Sequence, residues 1–127
     1  MPVHKSISRG DIWLVNFEPG ITGHEQGGKP RPTVIISSSA MNPNDTGLVI
    51  VVPATTTKRI DYISGELIPN HYQVEPKPGN GLTRTSYFMC EQVRCISVNR
   101  LSKQKLGGLS PQDMNEIKER LNILMDL

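Results

Sequence analysis

No apolar run in this 127-residue chain approaches the length that spans a bilayer. Met1 to Ser8 also lacks the apolar segment of an export signal, so a cytoplasmic location is expected. Cysteine is scarce. Cys90 and Cys95 fall five positions apart in one strand-like run, where they point to opposite faces. They are not placed to bridge each other, and free thiols, buried or half-buried in a reducing compartment, are expected. Histidine is scarce too. His4, His24 and His71 are scattered and do not make a metal site. Nothing in the sequence pairs a histidine with either thiol, as a thiol protease would need. No zinc signature, phosphate-binding glycine loop or dinucleotide fingerprint is present.

What is there suits a soluble globule of one domain. The composition is 36% hydrophobic and 20% charged, and the length is enough to bury a core without disulfides. The net charge is only +2, but it is unevenly spread. Residues 1–109 carry net +4 and residues 110–127 net −2. The basic surplus of the body suits an anionic partner.

Met1 to Arg9 reads as a loose lead-in. Ile12 to Phe17 is β-prone and too short for a stable helix. The single tryptophan, Trp13, belongs by default in a core or an interface. Thr33 to Ser39 is a second strand by its β-branched content. Asn42 to Asp45 is a turn cluster. Gly47 to Pro53 is the most apolar run and predicts a central strand that Pro53 ends. Glu66 to Ile68 and Tyr72 to Val74 are candidate short strands, and Glu75 to Gly81 is turn-rich. Ser86 to Val98 reads as one long strand, bent or bulged, or as two strands. Lys103 to Gly108 can add a short edge strand. Ser110, Pro111 and Asp113 open a terminal helix as N-cap, N1 and N3. Leu109 and Met114 can form its hydrophobic staple. Met114, Ile117, Leu121 and Leu124 form its apolar face. Many short strands followed by one helix predict a small, strongly curved antiparallel sheet or barrel closed by a helix.

The stretch that stands out is the connection between the first two strands, Glu18 to Pro32. It is much longer than a hairpin loop. Its centre reads Gly23-His24-Glu25-Gln26-Gly27-Gly28-Lys29-Pro30-Arg31-Pro32. Pro30 and Pro32 fix its exit, and Lys29 and Arg31 put positive charge there. A second polar stretch, Ala54 to Arg59, follows directly on the central strand and carries three threonines and two cations. It reads equally as a β-prone strand end or as a polar shelf held by a rigid strand. Arginine, threonine and a loop histidine suit a phosphodiester. An arginine fork holds two phosphoryl oxygens and stabilises charge that builds during attack. A threonine hydroxyl donates to the same group. RNA carries its own nucleophile, the 2′-hydroxyl, so no metal is required. Arginine is a poor general base, whereas His24 can titrate near neutral pH.

The sequence resembles the MazF/PemK family of toxin-antitoxin endoribonucleases. The resemblance rests on Arg9-Gly10-Asp11-Ile12-Trp13-Leu14-Val15, the Gly23 to Pro32 stretch, Val51-Val52-Pro53-Ala54-Thr55 and Glu91-Gln92-Val93-Arg94. It spans roughly residues 9 to 124, one domain within residues 1–127. It implies a mainly β fold with a C-terminal α-helix, a small SH3-like barrel of antiparallel strands, dimerised across an RNA groove. It implies a sequence-specific, metal-independent endoribonuclease without a cofactor. Single-stranded RNA would be left with 2′,3′-cyclic phosphate and 5′-hydroxyl ends. A cognate antitoxin with a disordered inhibitory tail is the implied partner. The catalytic pair carries over to Arg31 and Thr55, with His24 and Glu91 as acid/base or support candidates. Glu25, Gln26, Lys29, Thr56, Lys58 and Gln92 are expected along the RNA path. One branch of the family has an arginine two residues before the acid, where this chain has Met89. That departure favours the Arg31 and Thr55 arrangement. A gyrase-poisoning toxin of the same fold and a non-catalytic RNA-binding barrel are the alternatives.

Overall fold

A computed structural model of the chain describes residues 6–17, 30–39 and 46–127. The elements, in order, are β1 (Asp11–Val15), β2 (Arg31–Ile35), β3 (Leu48–Thr55), β4 (His71–Val74), β5 (Ser86–Met89), β6 (Arg94–Ser97), β7 (Leu101–Gly108) and α1 (Pro111–Met125). The strands form one antiparallel sheet in the order β4-β5-β3-β2-β1-β7, with β6 also on β3. The protein is mainly β with a C-terminal helix, as the order of many short strands and one terminal helix predicts.

The central strand β3 organises the sheet. One of its edges pairs with β2 from Val51 to Pro53. The other pairs with β6 over Leu48 to Val51, then with β5 at Ala54 and Thr55. Pro53 therefore does not end the strand, contrary to the expectation. It lies where the second edge changes partner, and a missing N–H is tolerated where no ladder bond is asked of it. The Ser86 to Val98 run resolves into two strands. A 3₁₀ turn at Cys90–Gln92 separates β5 from β6. The turn is closed by its own bond, from the Val93 amide to the Cys90 carbonyl at 3.2 Å, while the Cys90 amide extends the β4–β5 pairing by donating to the Asn70 carbonyl at 3.1 Å.

Both faces of the central strands are buried. Ile12, Val34, Val52, Ala54 and Phe88 face Ile117 and Leu121 of α1. Trp13, Val15, Ile35, Val49 and Val51 lie on the other side with Ile7, Phe17, Ile96 and Leu101. The residues next to β1 are thus not a loose lead-in. Ile7 is buried, and the Ser8 amide donates to Asp11 Oδ2 at 2.8 Å. The turn cluster at Asn42 to Asp45 lies outside the described residues.

The helix starts as its sequence dictates. Ser110 Oγ accepts from the Asp113 amide at 3.1 Å, and Pro111 occupies the first turn. Ile117 and Leu121 are buried, whereas Leu124 is 38% exposed, so the apolar face thins towards the C-terminus. Asp113 Oδ1 accepts from the Tyr72 hydroxyl at 2.6 Å, and the Arg120 guanidinium lies over the Tyr72 ring. These contacts tie β4 to α1. Burial, then the Asp113 carboxylate, push the Tyr72 phenol up.

The expected barrel is not closed by strand pairing. β4 and β7 are the two edges of the strand order, and no β4–β7 ladder joins them among the described residues. The turn-rich segment between β4 and β5 does the closing instead. The Gly108 amide of β7 donates to the Gly79 carbonyl at 3.0 Å. Gly81 and Gly107 allow the two backbones to meet. A Cβ on Gly81 would lie 2.1 Å from the Leu106 carbonyl oxygen, and one on Gly107 would lie 2.4 Å from that of Gly79. Loop contact replaces a ladder here because the segment is rich in proline and glycine, which make poor strand. A second connection, between β3 and β4, forms a small hairpin. It is held by the Ile60–Leu67 bridge and by the Asp61 side chain, which accepts from the Ile63 amide. Tyr62 and Ile63 at its tip are almost fully exposed.

The two thiols are free and differ sharply. Cys90 is buried, and desolvation pushes its pKa up to about 12. Cys95 is exposed, not covered or half-covered as expected. Because β6 begins after the 3₁₀ turn, the strand phase of Cys95 is not inherited from Cys90.

Two outcomes follow. Gly81→Ala should destabilise the fold by about 2 kcal/mol or more in urea titration, from positive φ plus the Leu106 clash. Gly79→Ala, also at positive φ but facing open space, should lose only about 1–2 kcal/mol. Equal effects would show that loop closure does not hold the sheet. At pH 8 an alkylating reagent should modify Cys95 alone in the folded protein, and both thiols in denaturant, by mass spectrometry.

Candidate active site

The strand register brings the sequence candidates together. In the β2–β3 ladder Thr33 lies opposite Pro53. Continuing that antiparallel register by two residues sets Arg31 opposite Thr55, with both side chains on one face. On the far side, Thr55 pairs with Tyr87 in the β3–β5 ladder. One step further sets Thr56 against Ser86. Three strand ends therefore converge. They line a pocket of about 170 Å³ with Pro30, Arg31, Pro32, Ala54, Thr55, Thr56, Arg84 and Ser86.

Arg31 opens β2 and is also paired with Val15 of β1. Its carbonyl accepts from Thr33 Oγ1 at 3.0 Å. Pro30 and Pro32 restrict the chain on either side. The residue is half-buried, and its Nε is covered without a hydrogen-bond partner among the described residues. Asp11 does not engage it. That carboxylate is 3.5 Å from Lys105 Nζ instead. A covered guanidinium nitrogen with no partner among the described residues favours an anion that supplies one.

Thr55 is buried to 8% exposure at the end of β3. Its Oγ1 accepts from the Thr57 amide at 3.1 Å. That bond fixes the oxygen and leaves the hydroxyl hydrogen to donate. Thr56 is exposed at the rim, and Lys58 is exposed further along the same segment. Ser86 is buried, and its hydroxyl donates to the Arg84 carbonyl at 3.0 Å.

Glu91 is elsewhere. It sits in the 3₁₀ turn after β5, where its Oε2 is 2.9 Å from Nε2 of His71. His71 is buried at the start of β4, and its Nδ1 has no partner among the described residues. Gln92 lies in the same turn, half-buried. Neither Glu91 nor Gln92 lines the pocket. His24, Glu25, Gln26 and Lys29 lie outside the described residues. Among the described residues, no group of three histidine, cysteine or acidic side chains could hold a metal. No described helix is long and apolar enough to cross a membrane.

Arg84 and Ser86 were not singled out from the sequence. Arg84 reads there as an isolated charge in a turn-rich stretch, and Ser86 as a strand-opening residue. The signal that finds them is the ladder register, which a single sequence does not display.

Known proteins share this architecture. The family described as PemK-like, MazF-like toxin of type II toxin-antitoxin system matches residues 8–125. The endoribonuclease PemK of Escherichia coli is 31% identical over 119 residues, covering 94% of this chain and 82% of that protein. The endoribonuclease toxin MazF of Escherichia coli is 30% identical over 116 residues, covering 91% of each chain. Among solved structures, MazF from Deinococcus radiodurans superposes with a TM-score of 0.77 at 23% identity, over 97% of this chain and 99% of that one. A mycobacterial endoribonuclease in complex with its cognate antitoxin gives 0.70 at 25% identity, over 95% and 96%. With the family's model matched over residues 8–125 and relatives 30–31% identical along nearly the whole chain, the chain belongs to the family of PemK-like, MazF-like toxins of type II toxin-antitoxin systems, whose relatives in this comparison are named endoribonucleases.

Proposed function

We propose that this chain is a sequence-specific endoribonuclease that cleaves single-stranded RNA without a metal ion. The observation that carries the reading is the convergence of Arg31 and Thr55 in one pocket, with the Arg31 Nε unpaired among the described residues. In the step proposed, the 2′-oxygen attacks the adjacent phosphorus and loses its proton. The bond from phosphorus to the 5′-oxygen breaks, and that oxygen takes up a proton. A 2′,3′-cyclic phosphate and a 5′-hydroxyl result, with water not consumed. Arg31 holds the non-bridging oxygens and offsets the charge that builds on them. The Thr55 hydroxyl donates to the same group. His24 is the candidate for proton transfer. Glu91, engaged by His71, acts as support. Glu25, Gln26, Lys29, Thr56, Lys58 and Gln92 contact the RNA on either side of the pocket. The nucleophile comes with the substrate, so no step calls for a metal or a cofactor.

The partners follow the same reading. The chain acts in the cytoplasm and is bound and held inactive by a cognate antitoxin; a mycobacterial relative is solved in complex with its own cognate antitoxin. It works as a homodimer. One pocket of this size holds little more than one phosphate group and its surroundings, and an RNA segment needs a longer groove. Exposed Ile123, Leu124, Met125 and Leu127 offer apolar surface for association.

A synthetic RNA mapped for new 5′ ends tests the chemistry. Parental protein should cut it in excess chelator. A single 2′-deoxy substitution at the cut site should leave it bound and whole. At saturating protein, Arg31→Ala should abolish cleavage with the fold intact by circular dichroism. Thr55→Val should lower the single-turnover rate by roughly 10- to 1000-fold. Cleavage of the 2′-deoxy substrate, or an unchanged Arg31→Ala rate, would sink the mechanism. The association state is read separately. Light scattering at micromolar protein should give twice the chain mass, and a stable monomer would remove the dimer.

A further inference from the structure

The pocket contains a second guanidinium that the proposed chemistry does not use. Arg84 lines it together with Arg31, Thr55, Thr56 and Ser86. The residue is exposed, and its side chain has no protein partner among the described residues. Its backbone, by contrast, is held on both flanks. The Ser86 hydroxyl donates to the Arg84 carbonyl at 3.0 Å. The next residue, Thr85, donates its hydroxyl to Glu75 Oε1 at 2.5 Å. Glu75 is fixed in turn, because Oε2 accepts from Gln73 Nε2 at 2.6 Å. The segment that leads in is braced as well. Asn80 Nδ2 donates to the Glu75 carbonyl at 2.9 Å, and Asn80 Oδ1 accepts from the Leu82 amide at 3.0 Å. A free charged side chain on a fixed base, at the rim of a pocket lined with hydroxyls, suits a ligand of opposite charge.

We propose that Arg84 is a second phosphate-binding arginine of the site, closing from the rim on the phosphoryl group that Arg31 holds from below. The assignment rests on the reading of the pocket as a phosphodiester site. Its basis is geometric. Arg31 arrives from the start of β2 and Arg84 from the approach to β5, with the end of β3 between them. The two cations therefore stand on opposite walls. Arg31 is set by strand pairing before substrate arrives. Arg84 is solvated until then and joins the site on binding. A phosphodiester has two non-bridging oxygens. Cations from two walls fix its orientation as well as its charge, which one arginine on one wall does not.

The test measures binding to an uncleavable 2′-deoxy RNA against salt, and single-turnover cleavage of the all-ribo RNA at saturating protein. Parental protein, Arg84→Ala, Arg84→Lys and Arg31→Ala are compared. Because Arg84 is exposed, its variants should keep the fold, checked by circular dichroism. Arg84→Ala should lower the steepness of log Kd against log salt by about 0.7, the loss of one contact to single-stranded phosphate. Its saturated rate should fall by roughly 10-fold or more, the scale of a hydrogen bond to a charged group. Arg84→Lys should restore the salt slope but not the full rate. If parental protein cuts RNA and Arg84→Ala matches it in slope or in saturated rate, Arg84 is not a phosphate ligand and the Arg31 reading stands. If parental protein neither binds nor cuts, both readings fall together.

Discussion

The β2–β3 register is the constraint on which the site depends. Thr33 opposite Pro53 implies Arg31 opposite Thr55. A slip of one residue would turn one of the two to the other face. The register is held by burial on both sides. Val34 and Val52 belong to the helix-facing core, whereas Ile35 and Val51 belong to the opposite one. A one-residue slip would carry side chains of one core over to the other. The geometry of two surface-reaching polar groups is thus fixed by valines and isoleucines that never meet the substrate. Preorganisation of a charged group is a property of this apolar packing.

The same logic explains why the site sits at strand ends. A buried arginine in mid-sheet would need a full set of partners within the protein. At the first residue of β2, next to Pro30, the guanidinium keeps one side towards the pocket. Thr55 occupies the matching last position of β3. Its hydroxyl oxygen is satisfied by the Thr57 amide, a bond available only because the chain turns there. The strands supply the rigidity and their ends supply the unsatisfied polar capacity.

Local physics made much of the fold legible in the sequence. Ser110 and Pro111 announced the helix start, and a short β-prone run, a β-branched run and the most apolar run announced β1, β2 and β3 in turn. What local pattern did not carry was long-range. The break between β5 and β6 falls where pairing with β4 stops and pairing of β6 with β3 begins. Pro53 survives inside β3 because the neighbouring strand changes there. Ile7 is drawn into the core by partners far along the chain. The contrast recurs in the site. Arg31 and Thr55 stood out through the glycine-rich stretch, the polar shelf and the family resemblance, but composition alone could not show that they meet. Arg84 carried no local signal. Glu91 and Gln92 stood out by resemblance, yet the 3₁₀ turn directs Glu91 to His71. Residues that act through register are visible only once the register is known.

The segment from Glu75 to Thr85 has two duties in one stretch of backbone. It closes the gap between the edge strands through Gly79, Gly81 and Gly107, and it delivers Arg84 to the pocket. An insertion there would shift the arginine and open the sheet at once, so this stretch is closed to change in length. The hairpin between β3 and β4 is not. It hangs on the Ile60–Leu67 bridge, and its tip at Tyr62 touches little else. Of the two connections flanking β4, only that hairpin is free to lengthen, shorten or change sequence while strand pairing and pocket stay intact. A protein of this design can therefore acquire new surface contacts through the hairpin while the machinery across the sheet remains as it was.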